Sequence, residues 1–174
     1  MNRKIMGGAL YSADEKTKYA MIRSDLFSQA RKICFEDGTV LASADVFVEK
    51  GNTASNVKRK QYVLKDAEGK EIMKAQPGYA EGEDPDVNGW PAARMPRADH
   101  AEMKYDGVKY TLLMRNTQNY ALLSENNETV AQIIHRGIMG GWDVITEKNF
   151  PSEVLLGIFI FCRYIESENE LTIV

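Results

Sequence analysis

Only two cysteines and two histidines occur in the 174 residues. Cys34 and Cys162 lie far apart and neither has metal-ligand spacing, so reduced, partly buried thiols are expected, with no disulfide framework and no metal site. His100 and His135 have no Cys, His or carboxylate at ligand spacing either. No serine sits in a Gly-x-Ser-x-Gly elbow. The glycine-rich stretch 137–142 lacks the Gly-Lys-Ser/Thr ending of a phosphate loop and precedes a strand, so a tight turn accounts for it better. Carboxylates are plentiful, but no pair is singled out by its surroundings. The reading is a protein that is not an enzyme, with no catalytic residues and no cofactor. Basic excess is missing too: the net charge of −3 argues against general nucleic-acid binding. Met1 to Gly8 carries two basic residues with no apolar run behind them, so no secretory signal is read and a cytoplasmic location is expected.

What the chain does have is one unbroken apolar stretch near its end. Val154 to Cys162 is nine residues without a polar side chain, and neither the helical nor the strand period divides it into two faces. A helix apolar all round must be surrounded by protein or lipid. Spanning a bilayer takes ~20 apolar residues, so a core helix is expected and a transmembrane segment is not. A buried strand in a sandwich is the other reading, because Ile and Phe are good strand formers. Pro151, Ser152 and Glu153 favour a helix start and Arg163 a nearby helix end.

The remainder reads as one mainly β domain, residues 1–174, large enough to bury about 70 % of its unfolded surface. Strands are expected at Tyr19–Arg23, Gln29–Phe35, Val40–Val48 and Trp142–Ile145. Hairpins are expected over Tyr62–Met73, over Met103–Leu112 turning on Asp106-Gly107, and over Tyr120–Ile134 turning on Asn126-Asn127. That makes about a dozen strand-like segments, at spacings typical of sandwiches and barrels. Three hairpins share a frame: Tyr62, Leu64 and Ile72 match Tyr120, Leu122 and Val130, and Ile33, Gly38, Leu41 and Ala44 match Leu64, Gly69, Ile72 and Ala75. Either a repeated unit or the common look of glycine-turn hairpins produces this.

Two features are candidate binding sites. Lys58, Arg59 and Lys60, with Arg31-Lys32, are read as a basic patch for an anionic lipid head group or other small anion, or as charges that keep a strand edge soluble. The stretch Gln76–Ala101 holds four of the five prolines and the acidic residues Glu81, Glu83, Asp84 and Asp86. So long a stretch without its own elements is functional or disordered as a rule. Trp90, Arg94 and Arg97 suit it to contact an unidentified protein, with a lid on its own barrel as the plain reading. A small enzyme would need His100 or His135 paired with a carboxylate in a pocket.

An all-β chain ending in a wholly apolar helix resembles the tubby C-terminal-like superfamily of tubby, LURP-one-related and scramblase-like domains. The features that carry the resemblance are the Tyr62–Ala75 and Tyr120–Ile134 hairpins, Trp142-Asp143-Val144-Ile145, and the terminal segment Val154–Tyr164. It implies a closed antiparallel β-barrel of about twelve strands around a buried C-terminal hydrophobic helix. It also implies a non-enzymatic role, with tubby domains binding phosphoinositides through Lys and Arg. No motif fixes that site on this chain. The length of the 76–101 stretch and the extension 167–174 depart from the compact bacterial members.

Overall fold

The computed structural model of the protein describes residues 1–24, 29–48, 60–82, 98–137 and 140–169. Twelve strands in these residues close into one antiparallel barrel in which every strand pairs with its neighbours in sequence. They are β1 (Asn2–Met6), β2 (Ala9–Ser12), β3 (Lys18–Ser24), β4 (Arg31–Cys34), β5 (Val40–Val48) and β6 (Lys60–Asp66). β7 (Glu71–Tyr79), β8 (Ala98–Tyr105), β9 (Val108–Asn116), β10 (Asn119–Ser124), β11 (Thr129–His135) and β12 (Trp142–Thr146) complete the set. β1 against β12, registered Asn2↔Ile145 to Ile5↔Trp142, seals the circle. A helix, α1 (Ser152–Glu168), follows.

Closure follows from the alternation of side chains. In β7 Met73 and Ala75 are buried between less buried neighbours, and β6 turns Tyr62 and Leu64 inward. Eight strands enclose a space that side chains alone fill, whereas twelve leave room for more. Here α1 fills it. Val154 to Cys162 are all buried, and nine residues at 100° each turn the helix through more than two circles. Phe159 meets Trp142 of β12 with ring centroids 4.9 Å apart, and Phe161 meets Tyr62 of β6 at 5.7 Å. Many inward positions are alanine: Ala20, Ala42, Ala44, Ala75, Ala98 and Ala101 are each fully buried. These short side chains make space for a helix of ~10 Å diameter. No helix among the described residues is long and apolar enough to cross a membrane.

The three hairpins of common frame share one turn. Phe35, Asp66 and Ser124 each donate N–H to the carbonyl four residues on, at 2.8–2.9 Å, and accept N–H from the residue three on. That residue, Gly38, Gly69 or Asn127, has positive φ, and a register shift follows in each ladder. This is a bulged hairpin turn used three times, and its left-handed position explains the Gly/Asn choice.

Three expectations are corrected. The 76–101 stretch is shorter at both ends, since β7 continues to Tyr79 and β8 starts at Ala98. Pro77 lies beyond the last β6–β7 pair, Tyr62↔Ala75, and is registered against Ala101 of β8, so β7 runs on there with one neighbour in place of two. Arg163 does not mark the helix end: α1 runs on to Glu168, and its last turn has no basic residue. Glu166 and Glu168 oppose the helix dipole there, and the Lys60 ammonium and the Tyr62 and Tyr120 hydroxyls bind them instead. Finally, β1 and β2 lie where no strand is expected from the sequence, because β1 mixes basic and apolar residues at the start of the chain.

Candidate functional site

The C-terminal end of α1 emerges at one mouth of the barrel, and polar side chains gather around it. Lys60, the first residue of β6, points its ammonium at Glu168 Oε2, 2.7 Å away. Tyr62 and Tyr120, matched positions in the shared hairpin frame, donate to Glu168 and Glu166 at 3.4 Å. Arg163 pairs with Glu166. Tyr164 donates to the Gln29 carbonyl at 2.7 Å, and Asn169 Nδ2 to the Ala98 carbonyl at 2.8 Å, tying the helix end to both sides of the mouth.

Beside this knot lies an open cleft of about 380 Å³ lined by Arg31, Val46, Lys60, Arg163, Tyr164 and Glu168 among others. Lys60 is paired with Glu168 and Arg163 with Glu166, so the binding power of the cleft lies in directed donors more than in net charge. Arginine supplies a planar fork of donors and lysine three more.

A second recess, about 300 Å³, opens across the rim and is lined by Lys60, Gln76, Gly78, Tyr79, His100 and Glu102 among others. Gly78 pairs with His100 and Tyr79 with Ala98, so Asp99 is the extra residue of a β-bulge. Asp99 Oδ1 lies 2.6 Å from His100 Nδ1. The imidazole packs closely on Gly78, where any Cβ would meet Nε2 at 2.2 Å. His100 thus has the carboxylate and the pocket that an enzyme reading requires. His135 has a different setting, accepting the Gly137 N–H at 3.2 Å and packing on Trp142.

Burial holds the three tyrosine hydroxyls around the end of α1 in their neutral form. Tyr62 is raised well above the ordinary tyrosine value, first by burial and then by Glu168. Tyr120 is raised by burial, with Cys162 and Glu166 adding to it. Tyr164 is pushed up to about 12 by burial, against the lowering effect of Arg31. Burial also raises the Cys162 thiol, so it is no nucleophile at neutral pH. A tyrosine whose folded value exceeds its unfolded value of about 10 contributes stability below pH 10 and loses it as pH rises. Each costs about 1.4 kcal/mol per pH unit above 10, so three predict cooperative unfolding between about pH 10 and 12. Tyrosinate absorbance and circular dichroism should change together in that window. Ionisation of all tyrosines with the fold intact would contradict it.

Of the residues expected to form a basic patch, Arg31 and Lys60 share the cleft. Lys32 faces away from it as an exposed residue. Lys58 and Arg59 lie outside the described residues, as do Trp90, Arg94 and Arg97. Sequence reasoning missed Arg163 and Glu168 as site residues because each reads as an ordinary helix-end charge. It missed the Asp99–His100 contact because it left residues 76–101 without elements, and only the bulge at the start of β8 brings the two side chains together. No group of three or more His, Cys, Asp and Glu placed to hold a metal ion is found among the described residues.

Fold and site together define a twelve-stranded antiparallel barrel closed around its own helix, with an open cleft lined by Arg31, Lys60 and Arg163 at one mouth. No protein-family model, curated protein or solved structure matches the chain.

Proposed function

We propose that this protein is a non-catalytic, cytoplasmic binding barrel of tubby-like type that holds a small anionic ligand in the cleft at the end of α1. The observation that carries the reading is the convergence of Arg31, Lys60 and Arg163 from β4, β6 and α1 on one open space. Three chain segments bring cationic side chains to one open space, and an anion with several acceptor oxygens matches their donor chemistry. A closed barrel around a C-terminal helix supports the family reading, and two buried cysteines without a disulfide support a reducing compartment. Phosphate esters, on a lipid head group or free, have the required charge and oxygens. The Asp99–His100 contact serves a binding role in this reading, because neither recess has a serine, threonine or cysteine placed for nucleophilic attack among its described lining except Ser167, whose hydroxyl is donated to the Tyr164 carbonyl.

Calorimetric titration with inositol phosphates tests the reading. The wild type should bind at low salt and more weakly at physiological salt, as expected for screened charges. Arg31→Ala combined with Lys60→Ala should weaken binding at least about tenfold, or ~1.4 kcal/mol, with the circular dichroism spectrum unchanged. Equal affinity in the double variant removes this cleft as the site.

A further inference from the structure

Three lysines stand side by side on the outer wall of the barrel. Lys74 of β7 is registered against Lys104 of β8, and Lys104 against Lys109 of β9. Met73, Ala75, Met103 and Tyr110 beside them are buried, so all three lysines face outward. Residues directly opposite on adjacent strands have Cβ atoms about 5 Å apart, and like charges there destabilise the sheet. Other wall lysines avoid this: Lys4 pairs with Glu15 and Lys18 with Glu36. Lys74, Lys104 and Lys109 have no ion pair or hydrogen bond among the described residues. We propose that this row is a docking surface for an extended acidic segment of a partner protein, whose carboxylates supply the counter-charges. The row shares no residue with the cleft at the end of α1, so it stands apart from the anion-binding reading.

The shape of the positive charge selects the partner, because the row is only one residue wide. On β8 the next outward positions are Glu102 on one side and Asp106, in the turn, on the other. On β7 they are Ile72 and Gln76, and on β9 Thr111 follows Lys109. Glu102 accepts a hydrogen bond from Thr111 Oγ1 at 3.3 Å and pairs with none of the three lysines. A flat anionic membrane covering the row would press on Glu102 and Asp106 as well, and like-charge contact disfavours that.

A single extended chain can follow the row between the two carboxylates. Its own carboxylates recur on one side at every second residue, about 7 Å apart. Two strand spacings set the outer lysines about 10 Å apart at their backbones, and the convex wall spreads the ammonium groups further. Two or three acidic side chains of such a segment therefore meet the row at once. The backbone N–H groups between them are donors that Glu102 and Asp106 can accept. A DNA backbone has phosphates but no such donors, so it meets the flanking carboxylates with repulsion alone. Lysine suits this use, since each ammonium is a compact charge on a flexible stem that adapts to an irregular chain.

Fluorescence anisotropy with labelled peptides is the test, using a peptide of alternating Glu and Ser and its neutral Gln and Ser counterpart. The wild type should bind the acidic peptide, more weakly at physiological than at low salt, and should not bind the neutral one. Lys104→Glu should weaken binding at least about tenfold. Its melting temperature should equal or exceed that of the wild type, since the new carboxylate separates two ammonium groups that repel. Lys104→Gln should fall between the two in affinity. Arg31→Ala combined with Lys60→Ala should leave peptide binding unchanged, which keeps a failure here distinct from a failure of the cleft. No binding at low salt, or equal binding by Lys104→Glu, overturns the proposal. Stronger binding to phosphatidylserine vesicles or to single-stranded DNA than to the peptide, lost in Lys104→Glu, also overturns it by assigning the row to another partner.

Discussion

Ile158→Asp is expected to leave the chain unfolded or insoluble. Ile158 is 2 % exposed, in the middle of a helix whose every side is covered by barrel. An aspartate there must either bury a charge or take up a proton and bury an unpaired carboxyl, and either costs several kcal/mol. A whole domain has only about 5–15 kcal/mol to lose. The control is Ile158→Val, which removes one methylene and costs about 0.5–1.5 kcal/mol. Size-exclusion chromatography and thermal melting report the outcome. A soluble Ile158→Asp protein with wild-type melting would mean that α1 is not the core.

Gly141→Ala has the next largest expected effect, and it acts on the seam. Gly141 has φ +65°, and a Cβ there would lie 2.2 Å from the Ile5 carbonyl oxygen. That oxygen belongs to the backbone of β1, directly where Ile5 faces Trp142 and the barrel closes. A flexible side chain can turn aside, but a paired strand cannot without breaking register. Strain at positive φ adds roughly 1 kcal/mol and the displacement of β1 more, for a total of about 2–4 kcal/mol. A protein of this size should then melt roughly 5–15 °C lower. Gly137→Ala is the matched comparison. Gly137 also has positive φ, +83°, but nothing lies within 4 Å of its Cβ position. Its variant therefore carries the backbone cost alone. Equal melting shifts for the two would show that the contact with Ile5 has no part in stability.

Much of the fold was legible in the sequence because the signals were local. The Asp106-Gly107 turn, with both residues at positive φ, is a property of two residues and joins β8 to β9 as expected. Val40–Val48 was read with its observed bounds from its alternation and its glycine turn. The helix was legible because Val154–Cys162 has no polar face to give to water. The site was legible only in its basic members. Arg31 and Lys60 stood out as charges, but their meeting depends on which strands neighbour β5 and on where β6 begins. The Asp99–His100 contact was hidden because residues 76–101 read as a stretch without elements, whereas β8 starts at Ala98 and one extra residue there brings the two side chains together. Pro77 and Gly78 also misled, for residues that usually break strands here end one beside a ring that needs the space.

The seal between β1 and β12 also sets a timetable for synthesis. Asn2 pairs with Ile145, so β1 leaves the ribosome well before β12 and waits for it before its open edge is covered. Residues 152–168 emerge later still, and they are what fills the interior. Until then the nascent sheet is hollow, with its inward Leu, Met and Tyr residues uncovered. Loop closure over such distances is slow, and uncovered edges invite association with other chains. Folding during translation should therefore stop at a partly curled intermediate that depends on chaperones. Release of the helix, more than synthesis of any strand, should be the step that commits the chain to its native state.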